Sequence, residues 1–415
     1  MIKEYLTANN QETRIQIEDS KIDATKTKNI TQKSVRVFDK EKKILSLAAA
    51  VGNVSDDELE KKAIDLLALG IPFEYELEKD TKGNFIKEKL SIKDNIELET
   101  LTERILNDLK DISKDFVISG VVSTNTAKRT LKNTLHLDLS VQRTLIDCSL
   151  SLKQKGSGNI FDAGAGFSGF DITDKKYQDF LKETEFIAKA CLSKEVPLEN
   201  KIYKVLSNSW NLTRKFHSDI NGIEYEEKTS LLAGKLNEKV FNENFCINEC
   251  HDYENLNIFV PFDHEGIVRK EELVIVDKGV LKNVFFDKKQ AHKYGKVSTG
   301  NGFREYNTNP LISSRGIRFL GVETKVTDLI SDSIVIVPFI SSGGDFLPNG
   351  NFSLPIQLAF VFENGKFIGK APQITLIGNY LDCFNKDFIA LGKNDLLEEM
   401  LSETMVLCNM RVNVN

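Results

Sequence analysis

The residues able to carry chemistry are few, and their spacing limits what they could do. Gly164-Ala-Gly-Phe-Ser-Gly169 has the G-x-G-x-x-G pattern of a dinucleotide-binding turn. Such a turn cradles a pyrophosphate when a strand leads into it and a helix starts within it. Asp171 and Ile172 separate these glycines from the helix expected at Thr173, so residues 156–170 read as a flexible glycine-rich loop. Cys246-x-x-x-Cys250-His251 has the ingredients of half a metal site. Structural zinc takes four ligands, usually from two paired motifs. No second Cys/His pair follows, which favours core or edge thiols. His136, His217, His264 and His292 are the other imidazoles. A catalytic histidine needs an orienting partner and a nucleophile or metal. The sequence supplies no such pairing, so each reads as a surface or structural residue. The H-E-x-x-H, G-x-S-x-G and P-loop patterns are absent.

The elements that must position these residues are partly legible. Arg14–Glu18 and Ser34–Phe38 alternate polar and apolar, as half-buried strands do, and Lys43–Val51 reads as a more buried strand. Ser55 with Glu58 forms a capping box that opens a helix running to Leu69, with Gly70 at its end. Leu98, Leu101, Ile105, Leu109 and Ile112 draw the apolar stripe of a second helix. In Thr134–Val141, Leu135, Leu137, Leu139 and Val141 share one face of an expected strand, with His136 and Asp138 on the other; Leu145–Leu152 continues in that style. Thr173 caps a third helix whose inner face holds Tyr177, Phe180, Leu181, Thr184, Ile187, Ala188 and Cys191. The segment 193–200 marks the expected boundary between domains 1–195 and 196–415. After it come a short strand near Ile202–Leu206 and a helix around Trp210–Ile220, then strands and turns from about residue 255. Val361–Ile368 predicts a hairpin around Asn364-Gly365. The expectation is an α+β fold of two domains, a mixed α/β N-terminal one and a strand-rich C-terminal one.

Composition narrows the function classes. With 415 residues, 41% hydrophobic and 28% charged, the chain can bury full cores without staples. A net charge of −6 argues against nucleic acid as the main partner, because phosphate contacts need clustered Lys and Arg. The six cysteines, Cys148, Cys191, Cys246, Cys250, Cys383 and Cys408, are too scattered for a disulfide scaffold and fit reduced thiols in a cytoplasm. Met1–Glu12 is polar, without the apolar core of a signal peptide. The longest apolar runs, Ile44–Val51 and Ile334–Ile340, are too short to span a membrane.

Several ordered pieces of the second half resemble the TldD/PmbA family, also called modulators of DNA gyrase. They are Phe262-Asp-His-Glu-Gly266, Gly279-Val-Leu-Lys282, Ser298-Thr-Gly-Asn-Gly302 with Arg304, Gly350-Asn-Phe-Ser353, Glu363-Asn-Gly-Lys366, Ile374-Thr-Leu-Ile-Gly-Asn379 and Leu391-Gly-Lys-Asn-Asp395. The resemblance implies a two-domain α+β structure and a cytoplasmic peptidase. One branch of that family binds zinc with H-E-x-x-x-H on a helix, two His as ligands and Glu as general base, with a Cys near the C-terminus as third ligand. The other branch, PmbA or TldE, lacks the motif and pairs with the first, peptides passing between the subunits. Counting back from Lys228-Thr-Ser-Leu-Leu-Ala-Gly-Lys-Leu-Asn-Glu-Lys-Val240 places Thr213, Arg214 and Ser218 at the His, Glu and His positions. Hydroxyls are poor zinc ligands, and arginine cannot act as a base at neutral pH.

The resemblance therefore implies the zinc-free branch, with no cofactor bound by this chain and zinc expected in a partner. The partners implied are a zinc-bearing TldD-like subunit or a second copy of this chain, and a peptide held by strand addition. Ser298, Asn301, Gly302 and Arg304 are candidates for substrate or partner contact; the same loop also reads as a structural turn with Gly and Asn at positive φ. Two alternatives stay open: a peptidase with an atypical zinc set drawn from His217, Cys246, Cys250, His251 or Cys408, and a homodimeric peptide-binding or regulatory protein. His264 departs from the family pattern, which commonly has Asp there, and the usual leading helix is missing.

Overall fold

The computed structural model describes residues 1–160, 162–331, 333–341 and 343–415, with Trp210 described in its backbone alone. It is strand-rich, about 20% helix and 44% strand, in a mixed α+β layout. Two hairpins of great length build the first sheet. β1 (Ile2–Glu18) and β2 (Lys21–Asp39) pair antiparallel along their whole length, turning through Asp19 and Ser20, both at positive φ. β3 (Ile44–Val51) extends the sheet beyond β2, and α1 (Asp56–Leu66) follows, its N-terminus capped by Ser55 Oγ accepting from Glu58 N. The short β4 (Ile71–Pro72) closes that edge. β5 (Lys82–Lys87) and α2 (Asn95–Asp108) precede the second hairpin, β6 (Phe116–Asn133) with β7 (Asp138–Gln154). β8 (Ala163–Gly169) pairs with β7, and the path through the sheet is β4-β3-β2-β1-β6-β7-β5.

Strands of 17 to 19 residues exceed the usual five or six, so each outreaches a single core. One face of the sheet is therefore covered twice. At one end α1 lays Leu59 and Ala63 on Val35, Val37 and Ala48. At the other, α2 and α3 (Asp174–Leu192) cover Ile15, Ile17, Val122, Ile146 and Cys148 with Leu98, Ile105, Phe180 and Ile187. Val335, Leu358, Phe360 and Met405 from the second half join that same core.

Two expectations need correction. Residues 134–137 are a turn, not part of a strand: His136 has φ 66°, and Asn133 Oδ1 accepts from Leu135 N (2.8 Å) and Leu137 N (3.1 Å). The asparagine side chain replaces the ladder partner, so the Leu periodicity crosses a hairpin tip. The glycine-rich run is not a loop over its length, because Ala163–Gly169 is β8. Ala163, Ala165 and Phe167 face the core, where Phe167 meets Phe180 edge-on at 5.1 Å, and a side chain at Gly166 would collide with the Cys148 carbonyl. Glycine serves close strand approach here.

β9 (Lys201–Asn208) begins the second large sheet, lying between Ile334–Ser341, parallel to it, and Thr404–Val414, antiparallel to it. That sheet continues through Ile374–Asn379 to Asn351–Glu363, which forms the expected hairpin with Lys366–Lys370 through Asn364 and Gly365, both at positive φ. α4 (Ser209–Asp219) follows β9 directly. A smaller sheet runs Val280–Leu281, Leu273–Asp277, Ile247–Glu249, Ile317–Phe319. No described helix is long and apolar enough to cross a membrane.

Candidate functional site

Two cavities share Leu256, Ile258 and Arg315 as a common wall. The first, about 570 Å³, is roofed by α4. Leu212, Phe216 and Ile220, spaced by four, bind that helix to the core beside Phe241 and Phe384. Thr213 and His217, each one residue on, then turn to the cavity together with Ser218. Opposite them stand Ser313 to Phe319, with Ser402, Glu403 and Thr404 at the side. Burial pushes the His217 imidazole down to about 4, which keeps it neutral at ordinary pH. The Ser218 hydroxyl donates to Glu224, and Glu403 accepts from Tyr253 and Asn255. Arg214 is exposed, its guanidinium 6.0 Å from the Phe346 ring centre. The end of α4 is fixed by Asp219, fully buried, which accepts from Leu231 N (3.0 Å), Lys215 and the Tyr380 hydroxyl.

The donor set facing this cavity does not fit zinc. Serine and threonine hydroxyls, one imidazole and a carboxylate already engaged by two donors fall short of the charged or imidazole ligands that zinc takes. The sulfur candidates lie elsewhere. Cys408 is in the core beside Cys383, Cys250 Sγ donates to Gly316 O (3.3 Å), and Cys246 Sγ accepts from Lys278 N (3.4 Å). Among the described residues, no three His, Cys, Asp or Glu side chains gather as metal ligands.

The second cavity, about 550 Å³, has the first sheet as its floor. Ala8, Ala127, Arg129, Val141 and Arg143 come from β1, β6 and β7; residues 256–262, His264, Phe303, Arg304, Glu305 and Arg315 form the opposite wall. His264 Nδ1 lies 2.9 Å from Arg304 O, and Nε2 meets the Arg129 guanidinium. An Arg N–H can only donate, so Nε2 accepts from Arg129, while Nδ1 stands 2.9 Å from both the carbonyl and the N–H of Arg304. Burial, then Arg129, Arg304 and Arg315, hold this imidazole well below its ordinary value, so it is neutral.

The loop singled out in the sequence sits behind that wall. Asn301 is fully buried and its Nδ2 donates to both Glu249 oxygens (3.0 and 2.8 Å). Gly302 N donates to Asp263 Oδ2 (3.1 Å), and its α-carbon lies so close to the Glu265 carboxylate that a side chain would collide with it. Ser298 Oγ donates to Phe286 O (3.0 Å). Arg304 reaches into the first sheet, to Ser34 Oγ (3.0 Å) and Glu4 (3.2 Å). Positive φ in this loop falls on Gly300, not on Asn301. The acidic residues of Phe262-Asp-His-Glu-Gly266 are likewise buried. Asp263 caps its own turn by accepting from Glu265 N and Ile267 N, and burial pushes it up to about 6. Glu265 is raised well above its ordinary value, first by burial and then by Asp263 and Asp287.

Sequence reasoning passed over Arg129, Arg143 and Arg315. Arg129 stands on Phe116–Asn133, a strand without a periodic signal, Arg143 on Asp138–Gln154, and Arg315 in the connection that precedes Ile317–Phe319.

Two large sheets, a smaller one and a helix over a cavity beside the smaller sheet's edge make this an α+β protein built like the TldD/PmbA proteins. Residues 209–414 match the PmbA/TldA metallopeptidase C-terminal domain, and through it the chain belongs to the TldD/PmbA family. An uncharacterized protein of Methanocaldococcus jannaschii is 27% identical over 345 residues, 81% of this chain and 78% of that protein. A metalloprotease of Archaeoglobus fulgidus is 24% identical over 395 residues, 89% of this chain and 86% of that protein. The crystal structure of TldE from Thermococcus kodakarensis superposes with a TM-score of 0.81 at 19% identity, covering 99% of this chain and 96% of that one.

Proposed function

We propose that this chain is a TldE-like subunit of a zinc metallopeptidase, forming one wall of a peptide path and performing no hydrolysis itself. The zinc belongs to a TldD-like partner in this reading. The observation that carries it is what α4 turns to its cavity. At the positions that the resemblance assigns to His, Glu and His stand Thr213, Arg214 and Ser218; the two hydroxyls face the cavity and the guanidinium faces away. Among the described residues lining that cavity, His217 is the one imidazole and Glu403, engaged by Tyr253 and Asn255, the one carboxylate.

A peptide wall is supported by the sheet edge. Ile317–Phe319 is the edge strand of the smaller sheet, pairing with Ile247–Glu249 on one side, and it lines the cavity under α4. An added strand gains backbone hydrogen bonds that tolerate many sequences. The six free cysteines support a reducing, cytoplasmic setting. The test is the zinc content of the tag-free chain by elemental mass spectrometry, with native mass to read its oligomeric state. Below about 0.1 zinc per chain is expected, and a value near one overturns the reading, since a structural or catalytic zinc binds near stoichiometrically. Peptidase activity that appears only on mixing with a zinc-bearing TldD-like subunit is the second expected result; a self-contained active homodimer is the opposing one.

A further inference from the structure

We propose that the cavity floored by the first sheet is an oxyanion site, in which Arg129, Arg143 and Arg315 take a carboxylate or phosphate group. Arg129 and Arg143 lie on adjacent strands and share one face of the sheet, since Arg143 pairs with Ala127, two residues from Arg129. Ala8 pairs with Arg129 on the other side. Alanine beside each arginine leaves open the volume that a larger side chain would fill, and the cavity of about 550 Å³ lies there.

Its charge is unbalanced. Arg129, Arg143, Arg304 and Arg315 line it, and among the described lining residues Glu305, exposed, is the one acid. Arg304 has a carboxylate partner, Glu4, but shares it with Arg36. His264 is held at Nδ1 by the Arg304 backbone and meets Arg129 as a neutral ring, which orients the guanidinium without cancelling its charge. The Nε atoms of Arg129 and Arg304 are buried without a hydrogen-bond partner. Arg315, exposed like Glu305, stands over the Phe303 ring, 4.4 Å from its centre, at the wall shared with the cavity under α4. Burial and the neighbouring guanidiniums lower Arg129 to about 10 and Arg304 to about 9, both still charged at neutral pH. Buried charges with open donors are stable when paired. The planar fork of a guanidinium matches a carboxylate or phosphate through two parallel bonds.

The anion has two sources, the carboxylate of a peptide or free phosphate. The peptide source rests on the reading of this chain as a wall of a peptide path; the site itself does not. The experiment uses the full chain alone, without any zinc partner, so its outcome is separate from the zinc measurement. Fluorescence anisotropy follows a labelled hexapeptide with a free C-terminal carboxylate, the same peptide as its amide, and displacement by inorganic phosphate. The variants are Arg129→Gln, and Arg143→Gln, which is less buried; circular dichroism reports their folding. If a peptide is the source, the free acid binds about tenfold or more tighter than the amide, and either variant erases the difference. If free phosphate is the source, phosphate binds one to one and both variants lose it, while acid and amide peptides bind alike. His264→Asp places a carboxylate against Arg129 and is expected to abolish either binding while the fold persists. Failure of the wild type to bind either anion, or binding that both arginine variants leave intact, overturns the proposal.

Discussion

The contact between Arg304 and the first sheet makes a quantitative prediction. Glu4 Oε1 lies 2.7 Å from Arg36 Nη2, 2.9 Å from Arg36 Nε and 3.2 Å from Arg304 Nη2, and all three side chains are essentially inaccessible to water. One carboxylate thus holds two guanidiniums, one from β2 and one from the Gly302 loop. At an effective dielectric of about 20, opposite charges roughly 4 Å apart attract by about 4 kcal/mol. Glu4→Gln removes both attractions and relieves the burial cost of the carboxylate, but leaves two cations facing each other. Breaking a buried pair in this way costs about 3–5 kcal/mol. Arg304→Gln is milder, because the Glu4–Arg36 pair survives it. In the double variant Glu4→Gln with Arg304→Gln the repulsion is gone, so the combined loss falls short of the sum by about 1.5–3 kcal/mol. Urea unfolding followed by far-UV circular dichroism and by the fluorescence of the single tryptophan measures all four proteins. Additivity within about 0.5 kcal/mol would refute the reasoning. It would mean that Arg304 does not share the Glu4 charge and is free to act as a contact residue.

Two further perturbations test the packing around the cavities. Gly302→Ala drives a methyl group into the Glu265 carboxylate, which is held by Lys288 N at 2.7 Å and cannot swing away; a loss of about 1–3 kcal/mol is expected in thermal unfolding, and wild-type stability would show that Glu265 is not locked. Glu183 is buried between α3 and the Glu398–Glu399 segment, and burial raises its carboxyl from 4.5 to about 8 against two bonds from Glu399 N (3.2 and 3.1 Å). A raised folded-state value means that its contribution to stability is fully present below the unfolded value and is lost as pH rises through about 8. At 1.36 kcal/mol per unit the ceiling is about 5 kcal/mol, so Glu183→Gln should flatten the stability profile between pH 5 and 8 and exceed the wild type at pH 9. An unchanged slope in urea midpoints across that range would count against it.

The elements read from local signals are those whose partners lie nearby in sequence. Ser55 with Glu58, Thr173, and the Asn364-Gly365 turn each act within a few residues, and each stands where the spacing predicts. The strands that went unread, or were read short, owe their form to distant partners. β1 and β6 carry Thr7-Ala-Asn-Asn-Gln11 and Ser123-Thr-Asn-Thr-Ala127, polar runs with little alternation, and they extend because they pair with each other. Patterning reports burial on one face. In the middle of these strands one face meets solvent and the other meets a polar cavity, so the pattern is weak there. The same reason hid the cavity: Arg129 and Arg143 acquire meaning only when the register sets them diagonally and brings His264 across from the other half. The α4 positions come from counting back from Lys228–Val240; in the structure Leu212, Phe216 and Ile220 fix the phase of the helix, and the phase turns Thr213 inward.

The two cavities also differ in the kind of group that each accommodates, and this bears on how one ligand could use both. The cavity under α4 is lined mainly by hydroxyls, a neutral imidazole and the strand edge Ile317–Phe319, with Arg315 and Arg318 set against one carboxylate, Glu403. The cavity over the first sheet offers guanidiniums. Arg315 belongs to both, in the segment that continues directly into the edge strand. A chain running along that edge would therefore meet mixed hydroxyl and charged partners first and the arginine-lined wall beyond Arg315. Extended backbone advances about 3.3 Å per residue, so the step from mixed to cationic lining falls within a single short peptide. Glu4 makes such a wall tolerable for the fold, since it offsets half the charge of the innermost pair, Arg36 and Arg304, and makes no ion pair with the outer arginines. Natural proteins break local charge balance mainly where a ligand restores it. The imbalance at Arg129 is therefore the feature of this chain that most directly calls for an anionic ligand.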